Sequence, residues 1–167
     1  MERDLRRIRL LLFGFILGLV ISGVTVFPLP QEVTAICSWL GARDGASASD
    51  YSGGLHWLVQ VRNALLATGK SYPFLFYGYD WMAFAHLVIA IAFVGPIKDP
   101  VRNKWVLQWA LICCGLVIPL ALICGAVRGI PSWWQLIDCS FGVVGAVPLI
   151  YCLRIIQKLE KRASRPL

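Results

Sequence analysis

Two aspartates, a histidine and two arginines lie where apolar segments of this sequence meet polar ones. These side chains are its best candidates for chemistry: Arg62, Asp80, His86, Arg128 and Asp138. Asp80 and Asp138 could act as an acid–base pair, because two neighbouring carboxyl groups push their pKa values apart. His86 or Arg128 would then stabilise the developing charge. A membrane-embedded enzyme is therefore one hypothesis.

The same five residues could instead fasten the protein together or bind a ligand. Ionisable groups at membrane depth are costly and normally face the protein interior in pairs. The simplest interpretation is two structural ion pairs, Arg128 with Asp138 and Arg62 with Asp80. It implies that Asp138→Asn lowers thermal stability, because one charge is removed from a partly buried pair. The alternative is a polar cluster that holds a lipid, a small ligand or a partner subunit.

A third class of function, haem binding, depends on the only two histidines, His56 and His86. They could supply two axial ligands to one haem. His56, however, lies outside the apolar runs, and a histidine such as His86 more often forms a hydrogen bond between helices. The six cysteines include no C-x-x-C pair, and most lie in apolar runs, where cysteine behaves as a small hydrophobe. We therefore expect neither a metal site nor a cofactor.

The composition indicates whether this chain folds in water or in a lipid bilayer. Hydrophobic residues make up 58% of the 167 residues and the mean hydropathy is +0.69, which is too apolar for a soluble domain of this size. The net charge of +7 would suggest nucleic acid in a soluble protein, but here the cations flank apolar runs. We therefore predict an integral membrane protein that does not bind nucleic acid.

Four apolar segments are long enough to cross a bilayer, since about 20 helical residues span roughly 30 Å of hydrocarbon. Each crossing must be a complete helix, because unpaired backbone groups are intolerable in lipid. The sequence predicts an all-α membrane protein that forms a single domain over residues 1–167. Its four transmembrane helices are expected at about 10–27, 81–97, 105–125 and 134–156.

Residues 28–80 form the one long segment that does not span. Two short amphipathic helices are predicted there, at about 31–41 and 55–68, with a polar, glycine-rich loop at 43–54 between them. The second of these helices is expected to lie on the membrane or over the helix bundle. Six aromatic residues between positions 72 and 81 indicate where the chain re-enters the bilayer.

The distribution of basic residues predicts the orientation. Twelve of the 16 lysines and arginines fall on one side of the membrane if both termini and the 98–104 turn share that side. Because short cytoplasmic loops carry an excess of basic residues, both termini are predicted to be cytoplasmic. Residues 28–80 are then extracytoplasmic, and the five candidate residues belong to the outer leaflet. The expected location is a bacterial inner (plasma) membrane.

Helical spacing indicates which faces point inward. Asp138, Gly142, Gly145, Leu149 and Cys152 recur at i, i+4, i+7, i+11 and i+14, which predicts that this face of the last span turns toward the bundle. A second stripe of small residues is expected to pack within the bundle rather than against a second copy of the chain. It lies on the first span and consists of Gly14, Gly18, Ser22 and Thr25.

A binding or structural module is the function that this pattern favours. It would hold a lipid, a small ligand or a partner subunit at the outer-leaflet cluster of Arg62, Asp80, His86, Arg128 and Asp138. The expected partners are membrane lipid and, in the subunit version, another membrane protein. The enzyme that uses Asp80 and Asp138 is the alternative, and haem binding through His56 and His86 is less favoured.

Overall fold

The computed structural model describes residues 2–163, and every regular element among them is helical. Arg165, one of the basic residues counted for the orientation, lies outside this range. Two short 3₁₀ turns, Ala48–Asp50 and Pro73–Phe76, precede the third and fourth α-helices. The α-helices are α1 (Glu2–Val26), α2 (Leu29–Trp39), α3 (Gly53–Ser71), α4 (Tyr77–Ala92), α5 (Val94–Lys98), α6 (Lys104–Val127) and α7 (Ser132–Ala163).

Four helical segments are long and apolar enough to cross a membrane: Glu2–Val26, Pro73–Lys98, Lys104–Val127 and Ser132–Arg162. The prediction of an all-α protein with four such helices is therefore confirmed. The first and last helices are longer than predicted. α1 includes the basic residues at its N-terminal end, and α7 includes those at its C-terminal end. Lysine and arginine have good helix propensity, so nothing at those positions ends the helix.

The second of these segments is not one continuous helix. α4 ends at Ala92, and α5 begins at Val94, two residues before Pro96. A proline ring lacks the backbone N–H and collides with the carbonyl four residues earlier, which for Pro96 is that of Ala92. The span predicted at 81–97 therefore contains a break at the position that this proline dictates.

Two compact units make up the chain. Unit 1 combines the residues up to Gly18 with those from Ala90 onward, and unit 2 is Leu19–Ile89. The candidate residues are divided between them, with Arg128 and Asp138 in unit 1. The single domain over 1–167 stays a prediction.

Unit 1 is built around the antiparallel hairpin of α6 and α7. Gly142 lies against the backbone carbonyl of Cys114, and the Cys114 Sγ is 3.1 Å from the position that a Cβ on Gly145 would take. Farther along α7, Leu149 and Cys152 are fully buried. The face of α7 that was predicted to turn inward is therefore its buried face.

A tight turn connects α6 to α7. The backbone N–H of Gly129 donates to the Ala126 carbonyl at 3.3 Å, and that of Ile130 donates to the Gly125 carbonyl at 2.9 Å. These two hydrogen bonds satisfy carbonyl groups in the last turn of α6, and they require a residue in the left-handed conformation after the helix. Gly129 has a φ of +67°, which glycine adopts without strain.

Unit 2 contains a cap formed by α2, α3 and the loop between them. Its core consists of Cys37, Ala42 and Val59, which are buried. The Nδ1 atom of His56 lies 2.8 Å from the carbonyl oxygen of Ala48 and connects α3 to the loop. Further apolar side chains pack around the core: Val33, Ala48, Tyr51, Leu55 and Leu58.

The small residues on α1 do not all pack as expected. A Cβ at Gly14 or Gly18 would have no described neighbour within 4 Å. The prediction that this stripe packs inside the bundle is therefore wrong at these two positions. The close approach in α1 occurs at Gly23. A Cβ there would lie 3.0 Å from the carbonyl oxygen of Ala83 and 3.0 Å from the Cβ of His86, all within unit 2.

Candidate functional site

A cavity of about 310 Å³ lies between α6 and α7, beside the turn that joins them. We call it the turn cavity. Arg128 and Asp138, two of the five candidate residues, are among its lining residues. The full lining is Val117, Leu120, Ala121, Cys124, Gly125, Arg128, Ile130 and Asp138.

The two charged residues reach the turn cavity from different helices. Arg128 is the C-cap residue of α6, and its backbone N–H donates to the Cys124 carbonyl at 2.9 Å. Its side chain is exposed, whereas Asp138 is half-buried in the second turn of α7. The cavity therefore presents one accessible guanidinium and one partly shielded carboxylate.

These two charges do not neutralise each other. In the described residues 2–163, Arg128 forms no ion pair with Asp138, and Arg62 forms none with Asp80. The interpretation of these residues as structural ion pairs is therefore wrong. Both charges at the turn cavity stay available to a ligand.

The rest of the cavity wall is almost entirely apolar. Its other side chains belong to valine, leucine, isoleucine, alanine and cysteine. Such a wall lowers the local dielectric, so a charged group bound there interacts more strongly than it would in water. A ligand that combines charged groups with apolar parts matches this wall best.

Gln135 holds the turn beside the cavity in place. Its Nε2 donates to the carbonyl oxygen of Ile130 at 2.7 Å. Its side chain also lies against Gly125, where a Cβ would be only 2.6 Å from the Gln135 Cγ. The sequence analysis did not single out Gln135, although its place between the turn and Asp138 is a signal that could have found it.

Arg62 is buried in the cap of unit 2, with 1% of its surface exposed. Its guanidinium donates to the carbonyl oxygens of Arg43 and Ala46, both at 3.2 Å, and to the Asn63 Oδ1 at 3.1 Å. The Nδ2 of Asn63 donates to the same Ala46 oxygen at 3.0 Å. These bonds hold the loop of the cap against α3, so all three guanidinium nitrogens are already used.

The other candidates in unit 2 are not gathered into a site. Asp80 is exposed in the first turn of α4, and its carboxylate forms no hydrogen bond or ion pair with another described residue. The Nδ1 of His86 lies 2.8 Å from the Met82 carbonyl oxygen of its own helix. Because Asp80 and Asp138 belong to different units, their use as an acid–base pair stays a prediction. Haem binding through His56 and His86 also stays a prediction.

Cys37 is a buried thiol beside the Arg62 guanidinium. Burial raises the pKa of the Cys37 thiol, and the smaller effect of the Arg62 charge lowers it. A thiol that stays protonated is a poor nucleophile and a poor metal ligand. Within the described range 2–163, no three histidine, cysteine, aspartate or glutamate side chains form a group that could hold a metal ion.

No protein-family model, no curated protein and no solved structure matches this chain. The chemistry of the turn cavity is consequently the best guide to function. It offers a cation and an anion, held by one hairpin and surrounded by apolar side chains.

Proposed function

We propose that this protein is a membrane binding module whose turn cavity holds the head group of a zwitterionic phospholipid. The single observation that carries this proposal is that Arg128 and Asp138 line one cavity without pairing with each other. A phosphate that is followed by a primary ammonium, as in phosphatidylethanolamine, has the complementary charges. The guanidinium of Arg128 binds the phosphate, and the carboxylate of Asp138 accepts hydrogen bonds from the ammonium.

The size of the cavity supports a head group rather than a whole lipid. Small-molecule pockets usually have volumes of about 300–1,000 Å³, and the turn cavity is at the lower limit of that range. The acyl chains would lie along the outer surface of the hairpin. Leu120, Ile123 and Val127 expose 61%, 64% and 78% of their surfaces there, as expected for side chains that face lipid.

The proposal includes an orientation. We infer that both termini are cytoplasmic, that residues 28–80 are extracytoplasmic, and that the turn cavity opens to the outer leaflet of a bacterial inner (plasma) membrane. The excess of basic residues at both ends of the chain and in the 98–104 turn supports this orientation.

Cysteine labelling in intact cells tests the orientation. Ser49 and Arg102 are both exposed, so a thiol introduced at either position is reachable from its own side. In a background in which the exposed native Cys124 is replaced by alanine, a membrane-impermeant maleimide should label Ser49→Cys in intact cells and Arg102→Cys only after lysis. Labelling of Arg102→Cys in intact cells would move the turn cavity to the cytoplasmic leaflet.

Native mass spectrometry of the gently extracted protein tests the binding site. The wild type should retain phosphatidylethanolamine, and Arg128→Gln and Asp138→Asn should each lower the retained fraction about tenfold, as expected for loss of one charge-assisted hydrogen bond. The matched controls are Arg43→Gln and Asp44→Asn, which make the same chemical changes at exposed side chains of the cap. Equal retention in all five proteins would overturn the proposal.

A further inference from the structure

We propose a second lipid site at the end of unit 1 that is opposite to the turn cavity, and we infer that it binds the phosphate of an anionic phospholipid. The site is a cavity of about 480 Å³ where the start of α1, the turn after α5 and the end of α7 meet. We call it the basic cavity. Its charged lining residues are Arg9, Lys98, Asp99, Glu160 and Arg162. This proposal does not depend on the function proposed for the turn cavity.

The two acidic residues of the basic cavity are engaged within the protein. Both carboxylate oxygens of Glu160 accept hydrogen bonds from the Lys104 Nζ, at 2.7 and 3.0 Å. The Oδ1 of Asp99 accepts a hydrogen bond from the backbone N–H of Arg102 at 3.0 Å. The charge of Glu160 is thus balanced by Lys104, which does not line the cavity, and one oxygen of Asp99 is held by a backbone N–H.

The three cations of the cavity retain free donors. The Nε of Arg9 donates to the Ile97 carbonyl at 3.1 Å, which orients the guanidinium and leaves its two terminal nitrogens for an anion. The side-chain ammonium of Lys98 forms no hydrogen bond or ion pair with any residue in the described range. Arg162 is held only loosely, at 3.6 Å from Asp4, and 69% of its side chain is exposed.

The surrounding charges favour an anion. The described segments that meet here, 2–9, 98–104 and 154–162, contain eleven lysines and arginines and four acidic residues. Such an excess raises the local concentration of anions and attracts anionic lipid head groups at the membrane surface. Basic pockets between transmembrane helices are suited to phosphate-bearing head groups.

Apolar side chains in the same cavity favour a phospholipid over a free phosphate or a nucleotide. Leu5, Pro100, Val101 and Leu159 line it beside the cations. Leu10 and Phe13 continue along α1 and expose 63% and 62% of their surfaces, which suits contact with acyl chains. The occupant we infer is therefore an anionic phospholipid such as phosphatidylglycerol, with its phosphate among Arg9, Lys98 and Arg162.

The test uses the full-length protein in nanodiscs of phosphatidylcholine to which phosphatidylglycerol is added, with bound lipid counted by native mass spectrometry. Lys98→Gln should weaken phosphatidylglycerol binding about fivefold, the loss expected when one direct hydrogen bond to the phosphate is removed. Arg102→Gln is the matched control, because it removes a charge from the same turn and its side chain does not line the cavity. It should change binding less than about twofold.

Glu160→Gln gives an outcome of opposite sign. It removes a negative charge from the lining while Lys104 remains, so phosphatidylglycerol should bind more tightly than to the wild type. Thermal unfolding of each variant, measured in parallel, separates loss of binding from loss of fold. A wild-type melting temperature in Lys98→Gln together with weaker binding assigns the effect to the site.

Three outcomes would overturn the inference. Equal losses in Lys98→Gln and Arg102→Gln would reduce the effect to diffuse surface charge. Equal binding of phosphatidylglycerol and phosphatidylcholine by the wild type would remove the anion preference. Complete displacement of the lipid by inorganic phosphate at physiological concentration would make the cavity a site for the free ion instead.

Discussion

Arg128 and Asp138 line the same cavity from the two helices of one hairpin, and no ion pair joins them in the described part of the chain. Removing the charge of Asp138 therefore leaves no buried partner charge behind. We expect Asp138→Asn to change the free energy of unfolding by less than about 1 kcal/mol. Thermal unfolding in detergent measures this. A loss of about 3–5 kcal/mol would show that Asp138 belongs to a buried pair after all.

A second prediction concerns the contact between α6 and α7. A Cβ on Gly142 would collide with the backbone carbonyl of Cys114, and a backbone atom cannot move aside as a flexible side chain can. We expect Gly142→Ala to destabilise the hairpin by about 1–3 kcal/mol, the usual cost of overpacking. The measurement is the melting temperature in detergent.

Gly115→Ala is the matched control for this prediction. It makes the same substitution in α6, where a Cβ would meet no described atom within 4 Å. Alanine has the better helix propensity, so this variant should be as stable as the wild type or slightly more stable. If Gly115→Ala and Gly142→Ala melted at the same temperature, the close approach at Gly142 would not be a stabilising contact.

Arg62→Gln tests the cap of unit 2. The substitution removes hydrogen bonds to the Arg43 and Ala46 carbonyls, which are then left without these donors. The Ala46 oxygen keeps its Asn63 donor, so the cost is that of the lost Arg62 hydrogen bonds, about 1–3 kcal/mol in total. We expect faster proteolytic cleavage within the loop at 42–52. Arg43→Gln is the control, because only the backbone of Arg43 takes part; equal cleavage rates in the two variants would contradict this role for Arg62.

The buried thiol of Cys37 predicts a pH dependence. Burial raises the pKa of this thiol above its unfolded value of about 8.5, so its contribution to stability is complete below that pH and is lost as the pH rises further. Cys37→Ala should therefore melt below the wild type at pH 7, and the difference should shrink toward pH 10. A difference that stays constant across this range would contradict the assignment.

Periodicity and length in the sequence were sufficient to predict the four apolar segments, but they did not locate the break between α4 and α5. Four apolar segments and the inward face of α7 follow from hydrophobicity and from the spacing of Gly142, Gly145 and Leu149, and the structure has both. The stripe at Gly14 and Gly18 failed because small residues indicate that a close approach is sterically possible. They do not indicate which neighbour makes it, and in α1 that position is Gly23.

The site was only partly predictable. Arg128 and Asp138 could be predicted to lie at one site, because a short turn connects their helices and limits the distance between them. Arg62 was expected at a ligand site, but its long side chain turns inward and binds loop carbonyls far away in sequence. Arg9, Lys98 and Arg162 were interpreted as signals of orientation alone, since only the fold brings three distant segments to one cavity.

The head-group preference of the turn cavity is the most direct test of the proposed function. Phosphatidylethanolamine and phosphatidylcholine share a phosphate, but only the first has an ammonium that can donate hydrogen bonds to Asp138. In nanodiscs of the two lipids, the wild type should retain phosphatidylethanolamine with about tenfold preference. Asp138→Asn should abolish that preference, and Arg128→Gln should weaken the binding of both lipids alike. Equal retention of the two lipids by the wild type, or a preference that survives in Asp138→Asn, would contradict the proposed site.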